Sequence, residues 1–396
     1  MTDEDPVASV SPWSRDPADP IDPAPAFARL REKEPVTGIR WQFQDQPLGT
    51  MWMVTRHADV CALLSSRHTR VSLDRGESAM TQPGWLPALD PPDHTRIRRM
   101  LTRELSAKRM AALRPRVEAI VAGLLNDLPA AGPPVDLVSA FALPVASQVI
   151  CELLGVPYAD RADFERRSAV FTDTTAGPEQ QQQNSREMFG YMADLIARHR
   201  NDPGPGILGA LIRDHDENLT DEELQGIGTI LLIAGHETTA HTISLGTLLL
   251  IRHPDQLALV RDDPAVLDTA VEEILRFTSV ASTGSPRLLT EDITVGGRTV
   301  SAGAMAVVSY PSANRDTDAL PDADVFDVTR SPNPHLAFGH GIHLCVGQAL
   351  ARLELAVVFP ALLKKLPNLR LVNPDAELQF RNSPINGLQE LAVTWG

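Results

Sequence analysis

Cysteine and aromatic residues are scarce in this chain of 396 residues. It contains three cysteines, Cys61, Cys151 and Cys345, and aromatic residues make up 5% of it. An odd, small number of widely spaced cysteines argues against a disulfide framework and predicts a reducing, cytoplasmic environment. Cys61 and Cys151 lie in apolar helical patterns and are interpreted as core residues. Cys345 therefore needs its own explanation.

Positive charge and long apolar runs are also lacking. The chain has 36 Lys and Arg against 51 Asp and Glu, a net charge of −15, which argues against nucleic acid and anionic membranes as partners. The acidic N-terminus has no basic-then-apolar signal, and runs such as residues 247–251 are far shorter than the about 18 residues of a membrane span. No nucleotide fingerprint or iron–sulfur cysteine cluster is present, so electrons for redox chemistry would come from other proteins.

The remaining composition is that of a globular enzyme, with 43% hydrophobic and 22% charged residues. Length alone favours two or more domains, but one large helical domain that encloses a cofactor is a known exception. Residues 1–25 are rich in Pro, Asp and Ser and predict a flexible N-terminal arm. We expect residues 26–396 to form a single domain.

A glycine-bearing loop carries Cys345 immediately before a helical pattern that runs from Gln348 to Leu363. A thiolate there lies at the positive end of a helix dipole, which lowers the pKa of the thiol and suits a metal ligand. Gly341 and Gly347 have no side chains, so a large flat ligand can approach the backbone. A lone loop cysteine is more often a small buried residue, and the flanking pattern has to decide.

That pattern resembles the haem-thiolate signature of the cytochrome P450 family, and every position of it is filled: Phe338, Gly341, His343, Cys345 and Gly347. The resemblance implies a mainly α fold with small β-sheets, in which haem b lies between a long central helix and the loop of its ligand Cys345. Phe338, His343 and Gly347 are then cofactor-binding residues. The resemblance also implies O2 as co-substrate and electrons from NAD(P)H through a ferredoxin reductase and a ferredoxin.

The long helix has a strong start. Thr220 and Glu223 form a capping box, and Leu219 and Leu224 form a hydrophobic staple. No stop signal appears before His253, so the pattern predicts a helix of about 30 residues, or roughly 45 Å.

The middle of this helix contains locally unfavourable residues. Gly235 costs about 1 kcal/mol relative to alanine, Thr238 can bond back to the preceding turn, and Glu237 is costly to bury without partners. Such a series favours function, although a packing glycine beside a surface acid is the alternative. The stretch resembles the oxygen-activation segment of the family. Ala234 then contacts haem, Gly235 makes room for O2, Glu237 connects to a proton source, and Thr238 holds a proton-donating water.

Other charges fit the same resemblance. His94 and Arg98 stand four residues apart on one helical face, which taken alone indicates a solvated basic face. In the family, such a pair and a further arginine, here Arg287, bind the haem propionates. Glu273 and Arg276 match the buried Glu-x-x-Arg pair that locks the fold, a structural role.

Substrate contacts are expected from three segments. The loop over residues 72–89 has scattered apolar residues and is either a substrate-facing lid or a surface loop that covers the core. The resemblance adds the segment before Arg287 and a turn near the C-terminus. The predicted pocket residues are Met80, Trp85, Leu86, Val280, Ala281, Ser282, Thr283 and Ile385.

The sequence and the resemblance therefore predict a cytoplasmic, monomeric monooxygenase with no membrane partner, which hydroxylates or epoxidises a hydrophobic small molecule. Its style resembles actinobacterial enzymes of antibiotic biosynthesis and favours a macrolide polyketide, with polyenes preferred. A terpenoid, fatty acid or xenobiotic substrate is the alternative, as is a haem protein that binds a ligand without turnover. A basic patch is expected to dock the acidic electron donor; its residues are Arg96, Arg99, Arg103, Lys108 and Arg109.

Overall fold

The computed structural model describes residues 7–8, 10–43, 46–71 and 82–396. Their contacts divide the chain into two compact units. The first unit comprises the described parts of residues 1–73, 245–345 and 376–389, and the second comprises those of 74–244, 346–375 and 390–396. Predicted pocket residue Met80 lies outside the described residues.

Helices dominate the described chain, as predicted. In chain order they are α1 (Ala26–Lys33), α2 (His57–Ser65), α3 (Asp93–Glu104), α4 (Ala107–Ala131), α5 (Leu143–Leu154), α6 (Arg161–Thr172), α7 (Pro178–Asn201), α8 (Ile207–His215), α9 (Asp221–Arg252), α10 (Pro254–Asp262), α11 (Leu267–Thr278), α12 (Tyr310–Ala313) and α13 (Gln348–Lys365). Among them, none combines the length and apolar composition that a membrane span requires.

The strands are short and form small sheets. They are β1 (Val7–Ala8), β2 (Val36–Phe43), β3 (Gln46–Val54), β4 (Thr69–Arg70), β5 (Val135–Asp136), β6 (Arg287–Leu289), β7 (Ile293–Val295), β8 (Arg298–Val300), β9 (Met305–Val308), β10 (Arg370–Leu371) and β11 (Ala392–Thr394). The first unit holds a six-stranded sheet in the order β1-β2-β3-β9-β6-β4 and the β7–β8 hairpin. The second unit holds the sheet β10-β11-β5.

Helix α1 covers part of the six-stranded sheet. Its buried residues Phe27 and Leu30 pack with Ile39, Met51 and Met53 of the strands. Phe27 and Leu30 lie three positions apart on one face of the helix, and Met51 and Met53, two positions apart, lie on the same face of β3. Each element therefore presents its apolar side to the other. The first unit therefore has a core between α1 and the six-stranded sheet.

Residues 10–25 are anchored to the first unit, unlike the flexible arm that their composition predicts. Arg15 is half-buried and donates to the Ser279 carbonyl at 3.2 Å and to the Ser282 hydroxyl at 3.1 Å. Asp22 pairs with Arg315 at 2.8 Å. A Pro- and Asp-rich composition is typical of flexible segments, but these long-range polar contacts are not encoded in composition.

Helix α9 begins and ends as predicted. The Thr220 amide donates to Glu223 Oε2 at 3.1 Å, and the Glu223 amide donates to Thr220 Oγ1 at 3.2 Å, which completes the capping box. The helix has 32 residues, about 48 Å at 1.5 Å per residue, and His253 precedes the proline that begins the next helix. Its residues 221–244 belong to the second unit.

Candidate active site

Cys345 ends a tight loop in the first unit. A 3₁₀ turn over Gly341–His343 precedes it, and the Cys345 amide donates to the Phe338 carbonyl at 2.9 Å. Gly341 has a φ of +73°, and a Cβ on it would lie 2.5 Å from the Leu64 carbonyl oxygen, so glycine is required there. Cys345 is exposed and forms no disulfide. The loop thus presents an accessible, reduced thiol.

The other two cysteines are core residues, as predicted. Burial raises the pKa of the Cys151 thiol to about 12, and nearby acidic groups add to this effect. Burial also raises the pKa of Cys61, which packs against the core of the first unit. Both thiols stay protonated at neutral pH, and a protonated thiol is a poor metal ligand.

Tyr310 lies beside the cysteine loop, and no motif in the sequence indicated it. Strand β9 ends at Val308, and Tyr310 begins the short helix α12. Burial raises the pKa of the Tyr310 phenol to about 12; Cys345 acts in the same direction and Arg287 opposes it. A Cβ on Gly339 would lie 3.0 Å from the Tyr310 hydroxyl. Tyr310, Arg287 and the cysteine loop are therefore neighbours.

The predicted propionate ligands are divided between the units. Arg287 is buried at the start of β6 and His343 is half-buried in the cysteine loop of the first unit. His94 is buried and Arg98 half-buried on α3 in the second unit. Burial of His94 argues against the solvated basic face that its spacing alone indicates. Arginine and histidine in such positions suit carboxylate partners.

The middle of α9 has an open face in an otherwise buried helix. Ala234 is exposed and Thr238 is half-buried, and the Thr238 hydroxyl donates to the Ala234 carbonyl at 2.8 Å, as predicted. A Cβ on Gly235 would lie 2.5 Å from Ile150 Cδ1 of α5. This contact accounts for Gly235 by helix packing, whereas the sequence predicted room for O2.

Glu237 points into the protein and has a partner there. Its side chain is 2% exposed, and the Thr172 hydroxyl at the end of α6 donates to Glu237 Oε2 at 2.9 Å. The neighbouring His236 ring meets the ring of Phe164 edge-on, with centroids 5.4 Å apart. The alternative of a surface acid is therefore wrong, and the expected requirement for a buried partner is met by Thr172.

Glu273 and Arg276 form the predicted buried pair in the first unit. Both are fully buried, and Arg276 Nε and Nη2 each donate to one Glu273 oxygen at 2.7 Å. Arg276 also donates to three backbone carbonyls, and Glu273 accepts from the Asp327 amide at 2.9 Å and from Asn333 at 3.0 Å. The pair therefore organises the irregular chain that precedes the cysteine loop.

Of the expected pocket residues, those in the first unit come together. Ala281 and Ile385 form an antiparallel bridge, and the Asn386 amide donates to the Val280 carbonyl at 2.8 Å. Ser282 is buried, and the Thr283 hydroxyl donates to the Val308 carbonyl at 2.6 Å. The C-terminal turn thus reaches the segment before Arg287, as predicted.

The pocket residues of the second unit have a packing role. Trp85 and Leu86 are buried, and the Trp85 ring lies 5.4 Å from that of Phe171 and 6.3 Å from that of Phe189. The surface-loop alternative, in which apolar residues cover the core, therefore describes Trp85 and Leu86 better than an open lid.

Glu354 in α13 is a further buried acid that the sequence did not single out. It is 1% exposed, and within the described part of the chain neither carboxyl oxygen has a hydrogen-bond partner. Burial raises the pKa of Glu354 well above its usual range, so the group is held in its neutral form. Glu354 lies within an apolar helical pattern, and nothing in that pattern indicated that its carboxyl group is buried.

Comparison with known proteins identifies the family. A family model described as Cytochrome P450 matches residues 178–367. Cytochrome P450-SU2 of Streptomyces griseolus is 40% identical over 98% of both chains, and pentalenic acid synthase of Streptomyces avermitilis is 43% identical over 98% of both. The chain belongs to the cytochrome P450 family. Among solved structures, this P450 is similar to CYP105P1 in complex with filipin I, with a TM-score of 0.90, 38% identity and coverage of 97% and 98% of the two chains.

Membership makes the chain a monooxygenase of this family and implies haem and O2. The side chains of the first unit fit haem: an accessible thiol in a glycine-bearing loop suits its iron, and the buried Arg287 and half-buried His343 suit its propionates. Gly341 and Gly339, both with positive φ, let the loop keep its tight course around Cys345.

Proposed function

We propose that this P450 inserts one oxygen atom of O2 into a hydrophobic organic substrate, by hydroxylation or epoxidation, and releases the other as water. The observation that supports turnover, rather than ligand binding alone, is the adjacent acid and alcohol on α9, with Glu237 held inside the protein by Thr172 and Thr238 on the open face. Haem b, bound through a cysteine thiolate, would supply the activation of O2.

In this proposal, the residues of the chain have four tasks. Cys345 would bind the haem iron, and Phe338, Gly347 and Ala234 would contact the haem. His94, Arg98, Arg287 and His343 hold the propionates. Glu237 receives protons from the protein side, and Thr238 orients a water that passes them on, because the reaction consumes two protons in an apolar site. Val280, Ala281, Ser282, Thr283 and Ile385 orient the substrate, whereas Gly235 serves helix packing.

The first test is the CO-difference spectrum of the dithionite-reduced protein. A strongly red-shifted Soret band is expected, because thiolate ligation changes the electronic state of the iron. Protein purified without haem would refute the proposed function. A band typical of histidine ligation would refute Cys345 as the ligand.

Thr238→Ala is expected to separate oxygen consumption from product formation. The variant should bind haem and substrate normally but divert most reducing equivalents to peroxide, with product per NAD(P)H falling about 10-fold or more because a proton-relay hydroxyl is lost. Product and peroxide are measured together in a reconstituted system. Thr242→Ala, which removes an equivalent i−4 bond one turn later, is the control. Tight coupling in Thr238→Ala would contradict the assigned role.

We also propose that ferredoxin, reduced by a ferredoxin reductase, docks on the basic patch. Two of its five residues are already in ion pairs: Arg96 with Glu223 and Arg109 with Glu104. Arg99, Arg103 and Lys108 are exposed, and the first two line a surface cleft of about 950 Å³. The proposed docking patch therefore contains three of the five basic residues that the sequence predicted.

Charge reversal at this patch is expected to slow reduction. The variant Arg99→Glu/Arg103→Glu should lower the second-order rate of reduction by ferredoxin about 10-fold at low salt and flatten its salt dependence, because steering of an acidic partner is lost. Stopped-flow kinetics at several salt concentrations measure this, with Arg186→Glu on the exposed side of α7 as the control. Unchanged rates and salt dependence would exclude this docking site.

A macrolide polyketide is the proposed substrate class, with an antibiotic-biosynthesis role, and the complex of CYP105P1 with filipin I supports it. Pentalenic acid synthase, at similar identity, is named for a different product, so overall similarity does not decide the substrate. A panel of macrolides, terpenoids and fatty acids, titrated against the ferric Soret band, decides between the classes. We further propose a cytoplasmic location, which the three cysteines without disulfides support, and a monomeric state.

A further inference from the structure

Helix α6 contacts α9 through a narrow buried face. Its buried residues are Phe164, Ser168 and Thr172, spaced four apart on one side of the helix. Phe164 packs against His236, and Thr172 reaches the next residue of α9, Glu237. The two contacts fix both ends of α6 against the segment that carries the proposed proton relay.

The Thr172 hydroxyl has one proton and three acceptors within reach. Glu237 Oε2 lies at 2.9 Å, the Ser168 carbonyl at 3.3 Å and the Ala169 carbonyl at 3.4 Å. The shortest contact is to Glu237, and a carboxyl oxygen is the strongest acceptor of the three when it is ionised. The Thr172 hydroxyl therefore donates its hydrogen bond to Glu237 rather than to the carbonyls within α6.

The position of Thr172 links this bond to neighbouring structure. Its preceding residue, Phe171, packs against Trp85, and the residues that follow, 173–177, connect α6 to α7. Ser168, one turn earlier, is fully buried, and within the described residues its hydroxyl has no partner. Thr172 is thus the side chain through which the end of α6 contacts the acid.

We propose that Thr172 is a positioning residue, which fixes the Glu237 carboxyl group in the orientation that its proton transfer requires. The inference rests on the proposed role of Glu237 and adds a residue 65 positions away in sequence. Without the hydroxyl, the Glu237 carboxyl group loses a hydrogen bond that orients it, so protons arrive less reliably and reducing equivalents are lost as peroxide. Haem and substrate binding are unaffected, because Thr172 acts only through Glu237.

The test uses the full-length haem-loaded enzyme with a ferredoxin system and a panel compound that it turns over. Thr172→Val, which keeps the volume and removes the donor, is expected to lower product per NAD(P)H about three- to tenfold, the range for one lost hydrogen bond. Thr172→Ser restores coupling, and Ser168→Ala on the same buried face leaves it unchanged. The substrate dissociation constant stays within about twofold in all variants, as expected when binding contacts are intact.

A readout that does not depend on turnover is the unfolding midpoint of Thr172→Val, Glu237→Gln and the double variant. If the two side chains are in direct contact, the fall in the unfolding midpoint of the double variant should be smaller than the sum of the falls in the two single variants. Normal coupling in Thr172→Val, or no recovery in Thr172→Ser, would overturn the inference while Glu237→Gln still uncouples. Normal coupling in Glu237→Gln would instead refute the proposed relay itself, and with it the positioning role.

Discussion

Cys345→Ser abolishes the red-shifted Soret band of the reduced CO complex and reduces product formation to background. The serine hydroxyl has nearly the same size as the thiol. The loop is therefore expected to keep its course, because it retains the hydrogen bond from the backbone amide of residue 345 to the Phe338 carbonyl and the glycine at position 341. What is lost is the thiolate, whose electron donation is required for O2 activation. The expected loss of turnover exceeds about 1,000-fold, comparable to removal of an essential catalytic group. Absorbance spectra and product analysis measure both effects.

Cys61→Ser is the matched control, because that cysteine is also in the first unit and its thiol pKa is raised by burial. Its CO spectrum and turnover should match those of the unmodified protein. Oxygenation at a normal rate by Cys345→Ser, or an equal loss in both variants, would contradict the ligand assignment.

The features of the site that could be predicted from the sequence are those formed by residues within one short stretch of the chain. The capping box at Thr220 and Glu223 fixed the start of α9, and the bond from Thr238 to the preceding turn follows from threonine in a helix. The glycine-bearing loop around Cys345 was likewise evident. In each case, the interacting groups are within a few residues of one another, so spacing alone specifies the contact.

Long-range partners could not be predicted. The buried face of α6 has one apolar residue, Phe164, and two hydroxyl residues, so no hydrophobic stripe indicated which side faces α9. Thr172 therefore could not be selected as the partner of Glu237. Arg15 was missed for the same reason, since its partners lie more than 260 residues away in an unpatterned segment.

Gly235 shows that one sequence signal can have two physical causes. A glycine in a long helix is unfavourable, and both close packing and space for a ligand justify it. The direction in which a Cβ would point decides between them, and here it points at Ile150. This direction depends on how α5 packs against α9, which no local pattern contains.

The buried pair in α11 yields the largest expected effect on stability. Arg276→Ala leaves the buried Glu273 carboxylate with Arg330, 3.3 Å away, as its remaining cation. It also removes the donors of three carbonyls, those of Asn314, Ala323 and Val325. Loss of one partner of a buried ion pair costs about 3–5 kcal/mol, whereas total stabilities are about 5–15 kcal/mol. We expect a large fall in the unfolding midpoint in urea and poor haem retention, because the chain before the cysteine loop loses its anchor.

An exposed ion pair with the same i to i+3 spacing is the control, because it shares the sequence pattern of the Glu273–Arg276 pair but not its burial. Asp163 and Arg166 are also three residues apart on a helix, with a distance of 2.8 Å, but their side chains are 46% and 59% exposed. Arg166→Ala should cost less than about 1 kcal/mol, because solvent already screens that charge. Arg276→Lys should give an intermediate loss, since lysine keeps the charge but cannot reach both Glu273 oxygens and the carbonyls together. Equal losses in Arg276→Ala and Arg166→Ala would mean that the i to i+3 spacing, rather than desolvation and the carbonyl bonds, determines the energy.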